Sequence, residues 1–162
     1  MKLIIGLGNP GEKFQKNRHN VGHLFADYLS DKQLPPGIVV KKTTSYMNES
    51  GIFVARLVNE NRLEFTNLWI VHDDLDIKLG EYKLQLGKGP KLHKGIMSIE
   101  NEIEGDTFWR VRIGVDNRED GNRESGEGYV LQGFNEEELK ILNQVFFKIT
   151  KDLTDRIINE QD

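Results

Sequence analysis

The residues best suited to chemistry are a histidine and an aspartate that stand far apart along the chain. His19 lies where a polar loop meets a predicted helix, and Asp73 follows a predicted core strand. A neutral imidazole with an ordinary pKa of about 6.5 can take a proton from water near neutral pH. A carboxylate commonly fixes the tautomer of such a histidine and stabilises the imidazolium. The pair predicts a general base, although a histidine at such a junction can also serve only for packing.

The usual hydrolase nucleophiles do not accompany this pair. The chain has no cysteine, and none of its serines lies in a G-x-S-x-G sequence. A hydrolase built from these residues would therefore attack its substrate with water directly. Such an attack suits an ester better than an amide, because an alcohol leaves more readily than an amine.

Two patterns suggest a bound metal or nucleotide, and each has a weakness. Residues 72–76 read His-Asp-Asp-Leu-Asp, but neighbouring strand residues point to opposite faces, so His72 and Asp73 do not readily share one ion. Residues 6–11 fit the dinucleotide pattern G-x-G-x-x-G, but the polar segment 12–18 lacks helical periodicity. A dinucleotide site needs a helix N-terminus directly after the glycines. We predict no metal and no cofactor.

Polar residues elsewhere are candidates for substrate binding. Asn9 stands in a predicted turn, and Asn48 stands before a predicted helix, where an asparagine commonly caps the backbone. Either amide could instead hold a substrate carbonyl or a water, and spacing does not decide between these roles. Residues 87–95 suit either a solvated loop or contact with an RNA backbone. They hold three lysines among glycines, namely Lys88, Lys91 and Lys94.

Strands and helices alternate along the chain, which indicates an α/β fold. Apolar or alternating runs predict strands at residues 2–7, 38–40, 68–71, 81–86 and 109–115, the fourth of them antiparallel. Helical spacing predicts helices after residue 20, around residues 54–58 and 96–103, and in a C-terminal region at about 135–160. We predict a three-layer sandwich with a mixed, mostly parallel, twisted sheet flanked by helices. Ligands of such sheets bind beyond the carboxyl ends of strands, so Asn9 and Asp73 are expected in one crevice.

The composition is that of an ordinary soluble protein. Hydrophobic residues make up 37% and charged residues 30% of the 162 positions, which suits a single domain over residues 1–162. No apolar run approaches the roughly 20 residues of a membrane span, and the N-terminus has no signal-peptide layout, so a cytoplasmic location is expected. The net charge is −4, but residues 1–62 carry nine Lys/Arg against five Asp/Glu. A local basic face for nucleic acid is therefore compatible with the composition.

Several segments, taken in order, resemble the signature blocks of the bacterial-type peptidyl-tRNA hydrolase family. The blocks are Gly6–Gly11, Arg18–Gly22, Tyr46–Gly51, His72–Asp76, Arg110–Val115 and Tyr129–Leu131. The resemblance spans residues 3 to about 134. It implies that family's α/β fold and its reaction, hydrolysis of the ester between tRNA and a peptide or N-blocked aminoacyl group. It also implies a monomer that needs no cofactor and binds the acceptor end of peptidyl-tRNA.

The resemblance further implies roles for individual residues. His19 would be the base that activates water, and Asp73 would hold it in its working form. Asn9 would recognise the first amide of the peptide, which is how the family spares ordinary aminoacyl-tRNA. Tyr46 and Asn48 would line the substrate crevice. The basic loop and the C-terminal helical region would cover the acceptor end of tRNA.

The chain also departs from the family pattern. Lys94 replaces a usual asparagine in the substrate crevice, and an ammonium group only donates, whereas an amide also accepts. Beside the crevice, Phe14 replaces a usual tyrosine and Asn17 a usual threonine, while Thr43 replaces a usual proline. The segment 33–41 is shorter than its counterpart in the family. These departures leave a second function open, a catalytically weak or inactive member that acts as an RNA-binding protein.

Overall fold

Five strands and five α-helices make up the regular structure of the described residues. The computed structural model describes residues 1–90, 92–122 and 124–160. The strands are β1 (Lys2–Gly6), β2 (Ile38–Lys42), β3 (Leu68–Lys78), β4 (Tyr82–Leu86) and β5 (Trp109–Asp116). The helices are α1 (Val21–Ser30), α2 (Ser50–Glu60), α3 (Lys94–Ile103), α4 (Gly126–Val130) and α5 (Glu136–Asn159). In this described part, no helix combines the length and the apolar character that crossing a bilayer demands.

The sheet has the strand order β2-β1-β3-β5-β4. Strands β2, β1, β3 and β5 run parallel to one another, and β4 pairs antiparallel with β5. Helices α1 and α5 pack on one face of the sheet, and α2 and α3 pack on the other, so that two apolar cores lie on opposite faces. Parallel strands covered on both faces are apolar on both faces, as β1 is. The predicted mixed, mostly parallel α/β fold in three layers is confirmed.

The alternation of side chains along β3 decides which core each residue reaches. Trp69 and Val71 belong to the core beneath α1 and α5, whereas Leu68 and Ile70 belong to the core beneath α2 and α3. Because side chains alternate with a period of two, Asp73 continues the first series. The strand thereby delivers its carboxylate to the face that carries α1 and the turn before it.

β3 extends beyond the end predicted from its apolar residues. The predicted strand stops at residue 71, but Asp73 pairs with Ile113 and Asp74 with Gly114 of β5. The two buried acidic residues, Asp73 and Asp74, remain in this strand because each finds a donor, and the Nε of Arg112 donates to Asp74 Oδ2 at 2.7 Å. The prediction that Asp73 follows the strand is therefore wrong, since it lies inside β3.

Of the two roles left open for Asn48, the structure does not show the helix cap. The chain passes through a 3₁₀ turn at Met47–Glu49 before α2 begins at Ser50, so that Glu49 occupies the N-cap position. The turn forms because the amide of Glu49 donates to the carbonyl of Tyr46 at 2.9 Å. The side chain of Asn48 is consequently not committed to a helix terminus.

Helices α2 and α3 approach closely at a glycine, and this contact gives a stability prediction. A Cβ on Gly51 would lie 2.1 Å from the backbone oxygen of Ser98. Gly51→Ala should therefore force the helices apart and lower the free energy of unfolding by about 1–3 kcal/mol, measured by urea titration. Gly133→Ala is the control, because its added Cβ would meet nothing closer than the Lys16 oxygen at 3.7 Å. Equal losses in the two variants would contradict the explanation.

Candidate active site

A cleft of about 1150 Å³ lies beyond the carboxyl ends of β1 and β2, with part of β3 in its wall. It brings together six of the residues that the sequence singled out, namely Asn9, His19, Tyr46, Asn48, Asp73 and Lys94. The crevice expected to hold Asn9 and Asp73 is therefore present. A smaller depression of about 660 Å³ near the end of α5 contains Trp109 and Arg156 but none of these six residues.

Asp73 is the centre of the cleft's hydrogen-bond network. Its side chain is buried, and both carboxylate oxygens lie 2.9 Å from Nδ1 of His19. A second ring reaches the same group, with Nε2 of His93 2.8 Å from Oδ1. Burial favours a raised pKa for Asp73, but the charges of His93 and His19 and the hydrogen bonds from both rings hold the pKa well below its usual range. Asp73 is therefore an ionised acceptor.

The tautomer of His93 follows from its contacts with α3. Its Nδ1 accepts hydrogen bonds from the backbone N–H groups of Gly95 at 3.1 Å and Ile96 at 3.2 Å, so the ring serves as the N-cap of the helix. A ring nitrogen that accepts carries no proton, so the proton of the neutral ring sits on Nε2 and points at Asp73. Sequence reasoning missed His93. Its position directly before the predicted helix, whose N-terminus α3 places at Lys94, was the available signal.

His19 has the orientation expected of a base. It lies in the 3₁₀ turn Arg18–Asn20, directly before α1, as the sequence predicted. Donation from Nδ1 to Asp73 leaves Nε2 as the unprotonated nitrogen, with no hydrogen-bond partner among the described residues. Burial lowers the pKa of His19, and the charge of Lys94 lowers it further, but the charge and hydrogen bond of Asp73 outweigh both and raise it. The ring is thus a stronger base than an ordinary histidine.

The orientation of Asn9 is fixed by its neighbours. Asn20 Oδ1 accepts from the Asn9 amide at 2.9 Å, and Asn20 Nδ2 donates to the Asn9 carbonyl at 2.9 Å. Asn9 Oδ1 in turn accepts from the backbone N–H of Met47 at 2.8 Å. The side-chain Nδ2 of Asn9 is left as the group that can donate to a ligand. Asn20 stands at the N-cap of α1 but does not cap it, because its amide is engaged in this way.

Lys94 and Glu127 face each other across the cleft. The Nζ of Lys94 lies 3.1 Å from Oε1 of Glu127, and both side chains are largely exposed. Lys94 opens α3 and Glu127 belongs to α4, so the pair joins two walls. Exposed pairs of this kind contribute about 0–1 kcal/mol, so either partner can exchange readily for another group.

Of the other residues that the sequence singled out for substrate or RNA binding, some line the cleft and some do not. Tyr46 and Asn48 line the cleft, and the Tyr46 side chain is exposed. Phe14 does not line it and lies in the 3₁₀ turn Glu12–Phe14 with the Lys13 ammonium over its ring. Lys88 is exposed and outside the cleft lining, and Lys91 lies outside the described residues.

Two features of the site bear on whether it could bind a metal ion or a nucleotide. Ligand atoms of His19, Asp73 and His93 lie within 4.8 Å of one another. Hydrogen bonds already join these groups, so an ion would have to replace the protons between them. The glycine sequence 6–11 does not open an α-helix, since only the three-residue 3₁₀ turn Glu12–Phe14 follows it and α1 begins at Val21. The helix N-terminus that a pyrophosphate requires is therefore not placed beside it.

The contacts of His93 predict its tautomer in solution. In ¹⁵N-labelled protein at neutral pH, the ring of His93 should carry its proton on Nε2, because two backbone N–H groups occupy Nδ1. Ring nitrogen chemical shifts measure this directly, and the loss of one signal set in His93→Asn assigns it. A proton found on Nδ1 would contradict the helix-capping role and the donation to Asp73.

Known proteins resemble this chain over nearly its whole length. A family model described as peptidyl-tRNA hydrolase matches residues 3–37 and 32–161. The peptidyl-tRNA hydrolase of Mycoplasmopsis synoviae is 34% identical over 160 residues, which cover 90% of this chain and 83% of the relative. That of Aquifex aeolicus is 34% identical over 169 residues, with 93% and 87% covered. The crystal structure of the enzyme from Acinetobacter baumannii superimposes with a TM-score of 0.82 at 27% identity, covering 99% of this chain and 91% of that one.

Proposed function

The chain belongs to the peptidyl-tRNA hydrolase family, and from this premise we propose that water activated by His19 and Asp73 hydrolyses the peptidyl ester of tRNA in its cleft. Peptidyl-tRNA hydrolase activity follows from family membership, whereas the roles of individual residues are the proposal. One observation carries them. Nδ1 of His19 is bound to a buried carboxylate, which leaves Nε2 as a free base at the cleft.

The reaction needs only water and these side chains. His19 Nε2 takes a proton from water while the water oxygen attacks the carbonyl carbon of the ester. Asp73 stabilises the imidazolium as the tetrahedral intermediate forms. The bond between the carbonyl carbon and the ribose oxygen then breaks, and His19 returns its proton to that oxygen. The products are a peptide with a free carboxyl group and a tRNA with a free ribose hydroxyl, as required to recycle tRNA from prematurely dissociated peptidyl-tRNA.

His93 contributes by holding the carboxylate. Its Nε2 proton and the Nδ1 proton of His19 approach the same group, so Asp73 is restrained from two directions. A carboxylate restrained in this way keeps the His19 ring aligned through the proton transfer. His93 is proposed to position Asp73 rather than to contact the reacting atoms.

Asn9 is proposed to select the blocked substrate. Its oxygen is occupied by the Met47 amide, so Nδ2 is the group available to donate to the carbonyl of the first peptide bond. An unblocked aminoacyl group has no such carbonyl. A site built around a hydrogen bond rejects analogues that leave its polar group unpaired, which accounts for the sparing of aminoacyl-tRNA.

Lys94, at the start of α3, and the loop before it are proposed to contact the acceptor end of tRNA. Among the residues that the structure describes, Lys94 pairs with one exposed carboxylate, and a phosphate can compete with that partner. Lys88 is exposed and is proposed to contact the RNA backbone, as Lys91 is from the sequence alone. The intact His19–Asp73 pair favours hydrolysis over the alternative of RNA binding without catalysis.

Cleavage of N-acetylated aminoacyl-tRNA beside the unblocked form, with EDTA present, tests the function. We expect rapid cleavage of the blocked substrate only, because Asn9 needs a carbonyl and the reaction needs no metal. Loss of activity on addition of EDTA would contradict the metal-free mechanism. Binding of tRNA without cleavage would support the RNA-binding alternative instead.

Replacement of His19 tests the assigned base. His19→Ala should lower kcat by about 10²–10⁴-fold, the usual contribution of a general base. His23→Gln serves as the control, because His23 does not line the cleft and its Nε2 bonds Thr43 Oγ1 at 3.0 Å. That variant should keep most of its activity. Near-normal kcat in His19→Ala would refute the mechanism.

The raised pKa of His19 gives a pH dependence with a defined sign. The base works when neutral, so kcat/KM should fall as the pH drops through the pKa of His19, above the ordinary value of 6.5. Asp73→Asn removes the charge that raises this pKa and should move the acid limb to lower pH, together with a large loss of kcat. Lys94→Gln removes a charge that lowers the pKa and should move the limb to higher pH. A limb that neither variant moves would exclude His19 as the titrating group.

A further inference from the structure

The turn that carries the catalytic base is tied to three different parts of the fold. His19 binds Asp73 on β3, and Asn20 binds Asn9 after β1. Arg18, which the mechanism does not use, binds Glu138 in the first turn of α5. Each of three consecutive residues therefore reaches a different segment, and the contact of Arg18 is the most distant along the chain.

The Arg18–Glu138 contact is buried and bidentate. The two terminal nitrogens of Arg18 donate to the two carboxylate oxygens of Glu138 at 2.7 and 3.1 Å, and the residues are 6% and 3% exposed. The guanidinium group also lies over the rings of Tyr129 at 4.4 Å and Phe134 at 5.0 Å. Paired, parallel hydrogen bonds fix the orientation of both planar groups. Arg18 is thus held by the carboxylate and by contact with two aromatic rings.

Glu138 is itself fixed by further contacts. Its Oε2 accepts from Asn117 Nδ2 at 3.1 Å, and its Oε1 accepts from the backbone N–H of Asn135 at 3.0 Å. Asn135 in turn accepts from the Glu138 amide, and the two residues form the capping box of α5. The carboxylate that receives Arg18 is therefore part of a helix terminus and does not move independently of it.

Backbone contacts join the same two segments. The Arg18 amide donates to the Gln132 carbonyl at 3.0 Å, and the Phe134 amide donates to the Lys16 carbonyl at 2.9 Å. The strand-like segment 16–18 is thereby paired with 132–134. The ion pair fixes the end of this short ladder one residue before His19.

We propose that Arg18 and Glu138 form a clamp that positions His19 for catalysis. The inference rests on the proposed function, because it concerns the geometry of the proposed base. Neither residue lines the cleft, so both act through His19 rather than on substrate. Apolar residues in place of a buried ion pair can give similar stability, but they do not supply its directional hydrogen bonds. A displacement of about 1 Å at a catalytic group costs as much as 10²-fold in rate, so directional control is the property that catalysis requires.

Glu138→Gln tests the clamp, because it keeps the size of the side chain but removes the charge and one acceptor. We expect kcat to fall by about 10–100-fold while KM stays within about threefold, since the cleft walls are retained. The Nδ1 proton of His19, which gives a downfield resonance when bonded to Asp73, should exchange faster with solvent. Normal kcat and normal exchange in the folded variant would overturn the proposal.

Asp116→Asn is the matched control. Asp116 binds Arg118 at 2.9 Å, and Arg118 lies over the same Tyr129 ring at 5.0 Å, but no described hydrogen bond of this pair reaches residues 18–20. The variant removes a neighbouring ion pair without touching the turn. It should keep the kcat and the proton exchange of the unmodified protein. A loss equal to that of Glu138→Gln would show a general effect of charge removal and overturn the clamp.

The double variant Arg18→Met/Glu138→Leu separates positioning from stability. It replaces the ion pair with apolar side chains and should fold, as a thermal unfolding curve will record. Low kcat in this folded protein supports positioning, whereas full kcat would reduce the pair to a structural role and overturn the proposal. The exchange of the His19 proton is measured without substrate. The protein could fail to cleave peptidyl-tRNA while the exchange of the His19 proton still depends on Arg18 and Glu138. That result would refute the proposed function but not the clamp.

Discussion

A buried carboxylate is the constraint on which the arrangement of the cleft depends. Asp73 lies inside a sheet strand, shielded from water, where an ionised group is costly unless donors surround it. The donors come from two segments that are distant in sequence, the turn before α1 and the residue before α3. Because the charge of Asp73 needs these donors, β3, the turn before α1 and the residue before α3 are held together at the cleft. This need also explains why β3 continues as a strand through residues that are not apolar.

The rings that donate to Asp73 are held in fixed orientations, so the donor and acceptor of each hydrogen bond in the network can be assigned. Backbone N–H groups at the start of α3 point to His93 Nδ1, and the His93 proton points to Asp73. The proton of His19 points to the same carboxylate from the other side. Both rings thus present a donor to the carboxylate, and within this group of His19, Asp73 and His93 the ring nitrogen left with a free lone pair is Nε2 of His19 at the cleft. The N-terminus of α3 therefore determines which nitrogen of His93 faces Asp73.

The sequence predicts the fold and much of the site, and the limits of that prediction have physical reasons. Apolar runs mark buried strands, so the parallel sheet and the common crevice of Asn9 and Asp73 could be expected. The extension of β3 could not, because it depends on partners for its acidic residues that lie elsewhere in the chain. His93 was missed because a helix-capping histidine carries no periodic signal. Phe14, expected beside the crevice, lies outside its lining, in the 3₁₀ turn Glu12–Phe14.

The double use of Glu138 has a consequence for how the molecule opens. This residue closes the capping box of a 24-residue helix and also receives Arg18, so the first turn of α5 cannot fray without releasing the turn that carries His19. In terms of local unfolding, the start of α5 and the turn Arg18–Asn20 belong to one cooperative unit. A cap that would ordinarily open at little cost is protected by its second partner. The amide protons of the first turn of α5 and of the turn Arg18–Asn20 thus share a single opening event.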